Sequence, residues 1–276
     1  FYRGEVARAT VRQFQENGGV LAWEDFESFQ AQEVEPVRIN YRGYDIYTPP
    51  VPSGGLTSLS ILKTLEQFDL ASFSRWGTTY FHLFAEASKL CWEERFRLFG
   101  DPEQVSLSVE DLLSGEKAAE RAERIRRGRA RAVKPPPPEG QHTVNLVVID
   151  QEHNIVSVTA THGGDMGSHV AIEGYGLVLG HGISRFTLTK GSPNYPAPGK
   201  RMQHNMCPSL ILRDGKPWAG YGLPGGRHIV SVTAQLAVNL IDHGTSARDT
   251  LTAPRIHIEG EEPLRIDPAV SDVHAA

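Results

Sequence analysis

The chain has 276 residues, 39% of them hydrophobic and 22% charged, which is enough for one large domain or two small ones and excludes a disordered or fibrous protein. A formal charge of −5 offers no general attraction to nucleic acid or to an anionic membrane, and no apolar stretch reaches the length of a membrane span. Neither kind of partner is expected. Phe1-Tyr2-Arg3-Gly4 has none of the features of a signal peptide, and a chain that does not open on Met is expected to be a processed piece or an incomplete sequence. The two cysteines, Cys91 and Cys207, lie far apart and define neither a disulfide framework nor a zinc site.

The apolar spacing of Val6, Ala9, Val11 and Phe14 predicts a helix from Glu5 to Asn17, ended by Gly18-Gly19. A short helix opens at Trp23. Val37 to Asn40 and Tyr44 to Thr48 alternate as strands around Tyr41-Arg42-Gly43, and a helical run from Ser58 to Gln67 follows Pro49-Pro50-Val51-Pro52-Ser53-Gly54-Gly55. That glycine pair is either a loop-to-helix cap or a point of close backbone approach to a ligand or partner. Phe81, Phe84, Ala87, Leu90 and Cys91 recur at helical spacing within a long core helix from Thr79 to Gly100. Val109 to Arg127 reads as one further helix, with the basic run Arg121 to Arg131 as its solvated face.

The character changes after Lys134-Pro135-Pro136-Pro137-Pro138-Glu139-Gly140, which is neither helix nor central strand because proline fixes φ and lacks the backbone donor. Val144 to Asp150 and Ile155 to Thr161 then form a hairpin, and short β runs continue at Val170 to Ile172, Leu177 to Leu179, Ser209 to Arg213 and Pro217 to Tyr221. Leu223-Pro224-Gly225-Gly226-Arg227 leads into an apolar helix from Ile229 to Ile241. A strand, a glycine pair and a helix N-terminus together present backbone donors, so this turn is either structural or an oxyanion nest. Thr143, the first hydroxyl after the linker, also has two readings. It is a strand-start threonine chosen for β propensity, or an N-terminal nucleophile exposed when the chain is cut after His142, its freed α-amine then acting as the base.

The order of Asn17-Gly18-Gly19, Tyr41-Arg42-Gly43-Tyr44, Pro52-Ser53-Gly54-Gly55, Phe99-Gly100-Asp101-Pro102, Thr143 before Val147-Val148-Ile149-Asp150, Pro198-Gly199-Lys200-Arg201, Pro224-Gly225-Gly226, Ile241-Asp242-His243-Gly244 and Ala253-Pro254-Arg255-Ile256-His257 resembles that of γ-glutamyltransferases over nearly the whole chain. The resemblance implies an α+β fold, the four-layer αββα sandwich of N-terminal-nucleophile hydrolases, with self-cleavage before the catalytic threonine. It implies one intertwined domain, in which residues 1–142 are the end of a large-subunit region and residues 143–276 a small subunit that stays associated with it. Carried over, Thr143 is the nucleophile, Thr161 supports it from the neighbouring strand, and Gly225 and Gly226 donate to the oxyanion.

Relatives that use glutathione place an asparagine, an acid and a serine pair where this chain has Gly163, Arg185 and His204-Asn205. A cation at Arg185 would repel the α-ammonium of a γ-glutamyl group, unless Arg185 instead forms a surface ion pair. The segment from Phe186 to Pro198 is short, so an open groove is expected. His142, His162, His181 and His204 match no zinc spacing; no metal and no cofactor are expected, and His204 reads as a polar wall of the acyl pocket or a satisfied core histidine. The expected function is acyl transfer from a small-molecule amide, glutathione-like or otherwise, to water or an amine. The alternatives are an amide hydrolase of the oxamate or cephalosporin-acylase kind and a processing-dead binding homologue. A signal peptide on the precursor would make the protein periplasmic or secreted; without one it would be cytoplasmic.

Overall fold

The computed structural model describes residues 1–128, 142–260 and 264–270, so the proline-rich segment falls outside the described residues. The central sheet is built from both halves of the chain. Strands β1 (Val37–Tyr41) and β2 (Tyr44–Thr48) form a hairpin, and β2 pairs antiparallel with β7 (Ser209–Arg213), which pairs with β8 (Lys216–Tyr221). The β1–β2 turn takes positive φ at both Arg42 (50°) and Gly43 (86°), the geometry that matches strand twist in two-residue hairpins. Between β2 and β7 lie helices α3 (Gly55–Leu65), α4 (Thr78–Leu98), α5 (Val109–Leu112) and α6 (Gly115–Arg126), the hairpin β3 (His142–Ile149) and β4 (Ile155–Gly163), and the two-residue strands β5 (Ala171–Ile172) and β6 (Leu177–Val178). Helix α7 (His228–Ile241) follows β8, then α8 (Ala247–Thr252), β9 (Ile256–His257) and β10 (Arg265–Ile266); α1 (Glu5–Glu16) and α2 (Trp23–Glu27) open the chain.

One face of the central sheet is apolar and carries the core: Ile39, Tyr41, Ile46, Ile211 and Tyr221 pack with Leu59, Leu62, Phe84, Trp92, Ile229 and Leu236 from α3, α4 and α7. Burial of such side chains contributes roughly 1.5–3 kcal/mol each. The opposite face receives the β3–β4 hairpin. A side chain at Gly220 would lie 2.8 Å from Ile155 and 2.9 Å from Val147, and Ser157 Oγ donates to the Tyr221 carbonyl at 3.1 Å. The described residues therefore stack as helices, sheet and hairpin. The outward face of the hairpin, Val144, Leu146, Val148, Val156 and Val158, is exposed by 48–68%.

Three expectations change. The helix expected at Ser58 begins at Gly55, with Gly54 as its N-cap, so the glycine pair is the loop-to-helix cap; a Cβ on Gly54 would also meet Asn205 O and Cys207 Sγ at 2.8 Å, a close approach within the chain itself. The helix expected from Val109 to Arg127 breaks in two, since Ser114 Oγ accepts the Lys117 N–H at 3.0 Å and so caps a new helix. The basic run is not uniformly solvated. Arg121 is fully buried, its Nη2 donating to Glu94 Oε2 at 2.6 Å and to the Leu112 carbonyl at 3.0 Å.

Candidate active site

Thr143 sits where the β3–β4 ladder is irregular. His142 faces Gly163 while Val144 faces Ala160, so Thr143 opposes two residues, Thr161 and His162. A bulge of this kind re-aims side chains out of strict alternation. Here Thr143 Oγ1 donates to Thr161 Oγ1 at 3.1 Å, and Thr161 Oγ1 donates to the His142 carbonyl oxygen at 2.6 Å. The Gly163 N–H donates to Thr161 Oγ1 at 3.0 Å and fixes it. The hydroxyl of Thr143 is thus linked through one oxygen to the carbonyl of the peptide bond that precedes it.

The inner face of the hairpin continues past the end of β8. Val147 packs on Gly220, and a side chain at Gly222 would collide with the Asn145 amide, so a two-residue step along β3 matches a two-residue step beyond β8. The strand thus runs beside the segment that leads to Pro224 and Gly225. Gly225 (φ 130°) and Gly226 (φ 57°) occupy the left-handed region that favours glycine. Their carbonyls accept the first amides of α7, from His228 at 3.1 Å and Ile229 at 3.2 Å. Their own N–H groups have no acceptor among the described residues. Gly226 is buried, and a buried unpaired amide is costly unless a ligand completes it.

Two of the positions that differ from the glutathione-using pattern, His204 and Asn205, lie against Arg95. This guanidinium, 1% exposed, stacks near Trp92 and Phe99, and donates to Ser53 O at 3.0 Å, His204 O at 2.9 Å and Asn205 Oδ1 at 3.3 Å. Asn205 is buried. Arg185 is also buried rather than at the surface, and its carbonyl accepts from Asn194 Nδ2 at 2.7 Å. Burial, then the charges of Arg95 and Arg185, push the His204 imidazole down to about 4, so it is neutral near pH 7, and its Nδ1 has no partner among the described residues. Gly163 (φ 91°) lies against His181, whose Cβ would be 3.3 Å from a side chain placed there. His204 also forms part of the wall of a groove of about 920 Å³ between the Pro49–Pro52 segment and Pro102–Leu107.

In the sequence Arg95 is one of several charges in a core helix and draws no functional reading, although its place at i+3 and i+4 from Trp92 and Cys91 puts it on the apolar face. Asn145 likewise goes without a role there, yet it donates to Val158 O at 3.0 Å and Thr159 Oγ1 at 2.9 Å. The four histidines considered as metal ligands do not converge: no group of three or more metal-binding side chains occurs among the described residues. None of the described helices is long and apolar enough to cross a membrane.

Helices over one sheet, with a second β-layer beneath, define the class: an α+β protein with the N-terminal-nucleophile hydrolase fold. The solved cephalosporin acylase from Bacillus halodurans superposes with a TM-score of 0.88 at 30% identity, over 100% of this chain and 51% of that one. The family model for gamma-glutamyltranspeptidase matches residues 1–275, and the chain belongs to that family. It is 31% identical to the glutathione hydrolase proenzyme of Escherichia coli strain K12, covering 98% of this chain and 50% of the relative. Against the acylase ACY 1 proenzyme of Pseudomonas sp. strain SE83 the identity is 34%, over 94% of this chain and 47% of the relative. The chain thus spans about half the length of the curated relatives it matches.

Proposed function

We propose that the protein is a self-processing threonine acyltransferase or amide hydrolase, with Thr143 as nucleophile. The observation that carries this reading is the hydrogen-bond chain from Thr143 Oγ1 through Thr161 Oγ1 to the His142 carbonyl. In maturation, Thr143 Oγ1 adds to the His142 carbonyl carbon, and Thr161 donates to the oxygen as it gains charge. The His142–Thr143 C–N bond then breaks, its nitrogen taking a proton, and an ester to Thr143 remains. Water hydrolyses the ester, leaving a carboxyl group on His142 and a free α-amine on Thr143.

In turnover that amine accepts the hydroxyl proton as Oγ1 attacks a substrate amide, and the Gly225 and Gly226 N–H groups stabilise the oxyanion. The leaving amine takes the proton. Water or another amine then attacks the acyl ester and regenerates Thr143. The full-length precursor should therefore cleave itself between His142 and Thr143, giving two polypeptides by intact mass. A precursor that remains one chain would identify the binding-homologue reading instead.

The acyl donor is an amide whose acyl group lacks an α-ammonium. Supporting this, two buried guanidinium groups act on His204, and at an effective dielectric near 20 a like charge about 4 Å away costs roughly 4 kcal/mol. The wild-type precursor, once matured, should hydrolyse glutaryl-p-nitroanilide in preference to γ-glutamyl-p-nitroanilide, and Arg185→Asp should reverse that order. A strong wild-type preference for the γ-glutamyl compound would instead place this protein with the relatives named glutathione hydrolase.

A further inference from the structure

Helix α7 carries a buried polar stripe that the proposed chemistry does not use. Arg227, Ser231 and Gln235 follow one another at intervals of four on one helix face, 6%, 0% and 3% exposed, amid Ile229, Val230, Val232, Ala234 and Leu236. Buried polar groups lower stability unless paired, and apolar side chains would pack this face without that cost. All three instead grip the segment 256–259. Arg227 Nη1 donates to Glu259 Oε2 at 3.0 Å, Ser231 Oγ lies 3.2 Å from His257 Nδ1, and Gln235 exchanges hydrogen bonds of 2.8 and 3.0 Å with the Ile256 carbonyl and amide. The segment is anchored in turn, since Ser88 Oγ donates to Ile258 O at 2.8 Å.

We infer that Arg227 and Glu259 are positioning residues for the oxyanion donors, an assignment that rests on the acyl-transfer reading. Arg227 directly follows Gly226 and is the N-cap of α7. Apolar packing is non-directional and leaves a helix free to shift by fractions of an ångström. Three directional contacts along the helix fix both its rotation and its axial position, and with them the Gly225–Gly226 turn at its end. Donors to an oxyanion must lie within about 2.7–3.1 Å of the charge, so such a shift is enough to lose them. The ion pair is well suited to hold that position, because burial works against the Glu259 carboxylate, yet His257 and Arg227 keep it below the usual carboxylate range. Its second oxygen lies 3.7 Å from His257 Nε2, which ties the first and second grips together.

The test uses the full-length, matured protein and an anilide substrate. Glu259→Gln and Arg227→Met should lower kcat by about tenfold to a hundredfold, the range for a small misplacement of catalytic groups, with KM little changed. Arg227→Lys, which keeps the charge, should recover part of the loss. Glu94→Gln, which breaks the buried pair with Arg121, serves as a control for destabilisation: it should lower Tm at least as much while kcat stays at the wild-type value. If Glu259→Gln keeps wild-type kcat, or Glu94→Gln loses as much kcat as Glu259→Gln, the positioning role is wrong. An acyl ester on the Thr143 peptide of the wild-type protein is measured separately by mass. Its absence would overturn the acyl-transfer reading, and the positioning role with it; its presence at wild-type rates in Glu259→Gln overturns the positioning role alone.

Discussion

The two faces of the β3–β4 hairpin reverse the usual arrangement. The inward face carries Thr143, Asn145, Ser157, Thr159 and Thr161, with only Val147 and Ile155 apolar near its far end, and the outward face carries Val144, Leu146, Val148, Val156 and Val158. An antiparallel pair at a surface normally turns its apolar side to the core and its polar side to water. Here the polar side is satisfied by its own bonds and by the central sheet, while the apolar side is bare among the described residues. The residues of the proposed chemistry lie on one face, and the exposed apolar side chains on the other.

The comparison is broken most directly at Thr143. Thr143→Ala in the full-length precursor should abolish self-cleavage, leaving a single polypeptide by mass. If it still matures into the same two pieces, the inner face has no part in processing.

Next comes the glycine turn proposed to serve the inner face. Gly225→Pro removes one N–H and should lower turnover by about a hundredfold or more. Proline also cannot adopt the φ of 130° found there, so the informative contrast is with Gly225→Ala, which is strained too but keeps the donor. Alanine should retain the greater part of kcat. Equal losses in the two variants would assign the effect to strain alone.

A smaller effect is expected from the histidines beside the site. His204 is lowered from 6.5 to about 4, by burial first and then by Arg95 and Arg185, so the unfolded chain binds its proton more tightly than the folded one. Stability should therefore fall as pH drops from about 6.5 to about 4, and His204→Gln should flatten that slope in denaturant titrations. His228, also lowered to about 4, chiefly by burial, leaves a residual slope in the same window. An unchanged slope in His204→Gln would show that His204 is protonated alike in both states.

The least effect belongs to the outer face. Leu146→Thr in the chain as given should change its stability by no more than about 0.5 kcal/mol, as for other exposed positions. A larger loss, with a Tm that rises with protein concentration, would mean that copies of the chain cover this face in solution.

Much of this arrangement is legible from residue order. Thr143 after a proline-rich run, Thr161 on the returning strand and the Pro224-Gly225-Gly226 turn before an apolar helix each carry local chemistry that survives without tertiary context. The facing of the hairpin is not. Alternation in Thr143-Val144-Asn145-Leu146-Val147-Val148 gives the period, but the ordinary rule would turn Val144, Leu146 and Val148 inward, and only the packed sheet shows otherwise. Long-range pairing defeats the charge reading in the same way. Arg121 belongs to a basic run, yet Glu94 lies 27 positions away and draws it into the interior. The break at Ser114 escapes the sequence pattern because one serine side chain accepting one amide outweighs a continuous helical composition.

The irregularity in the ladder at Thr143 also acts as a phase marker. In a regular strand every residue is equivalent to the one two places on, and a nucleophile could be displaced by sliding the register. Because His142 and Val144 are paired out of step, the Thr161 hydroxyl meets the Thr143 side chain and the His142 carbonyl at one fixed register. A residue gained or lost upstream of His142 leaves this phase untouched, whereas one deleted between Val144 and Ile149 would rotate Thr143 to the opposite face. Length variation in homologous chains should accordingly gather before His142 and be absent from the strand positions that follow it.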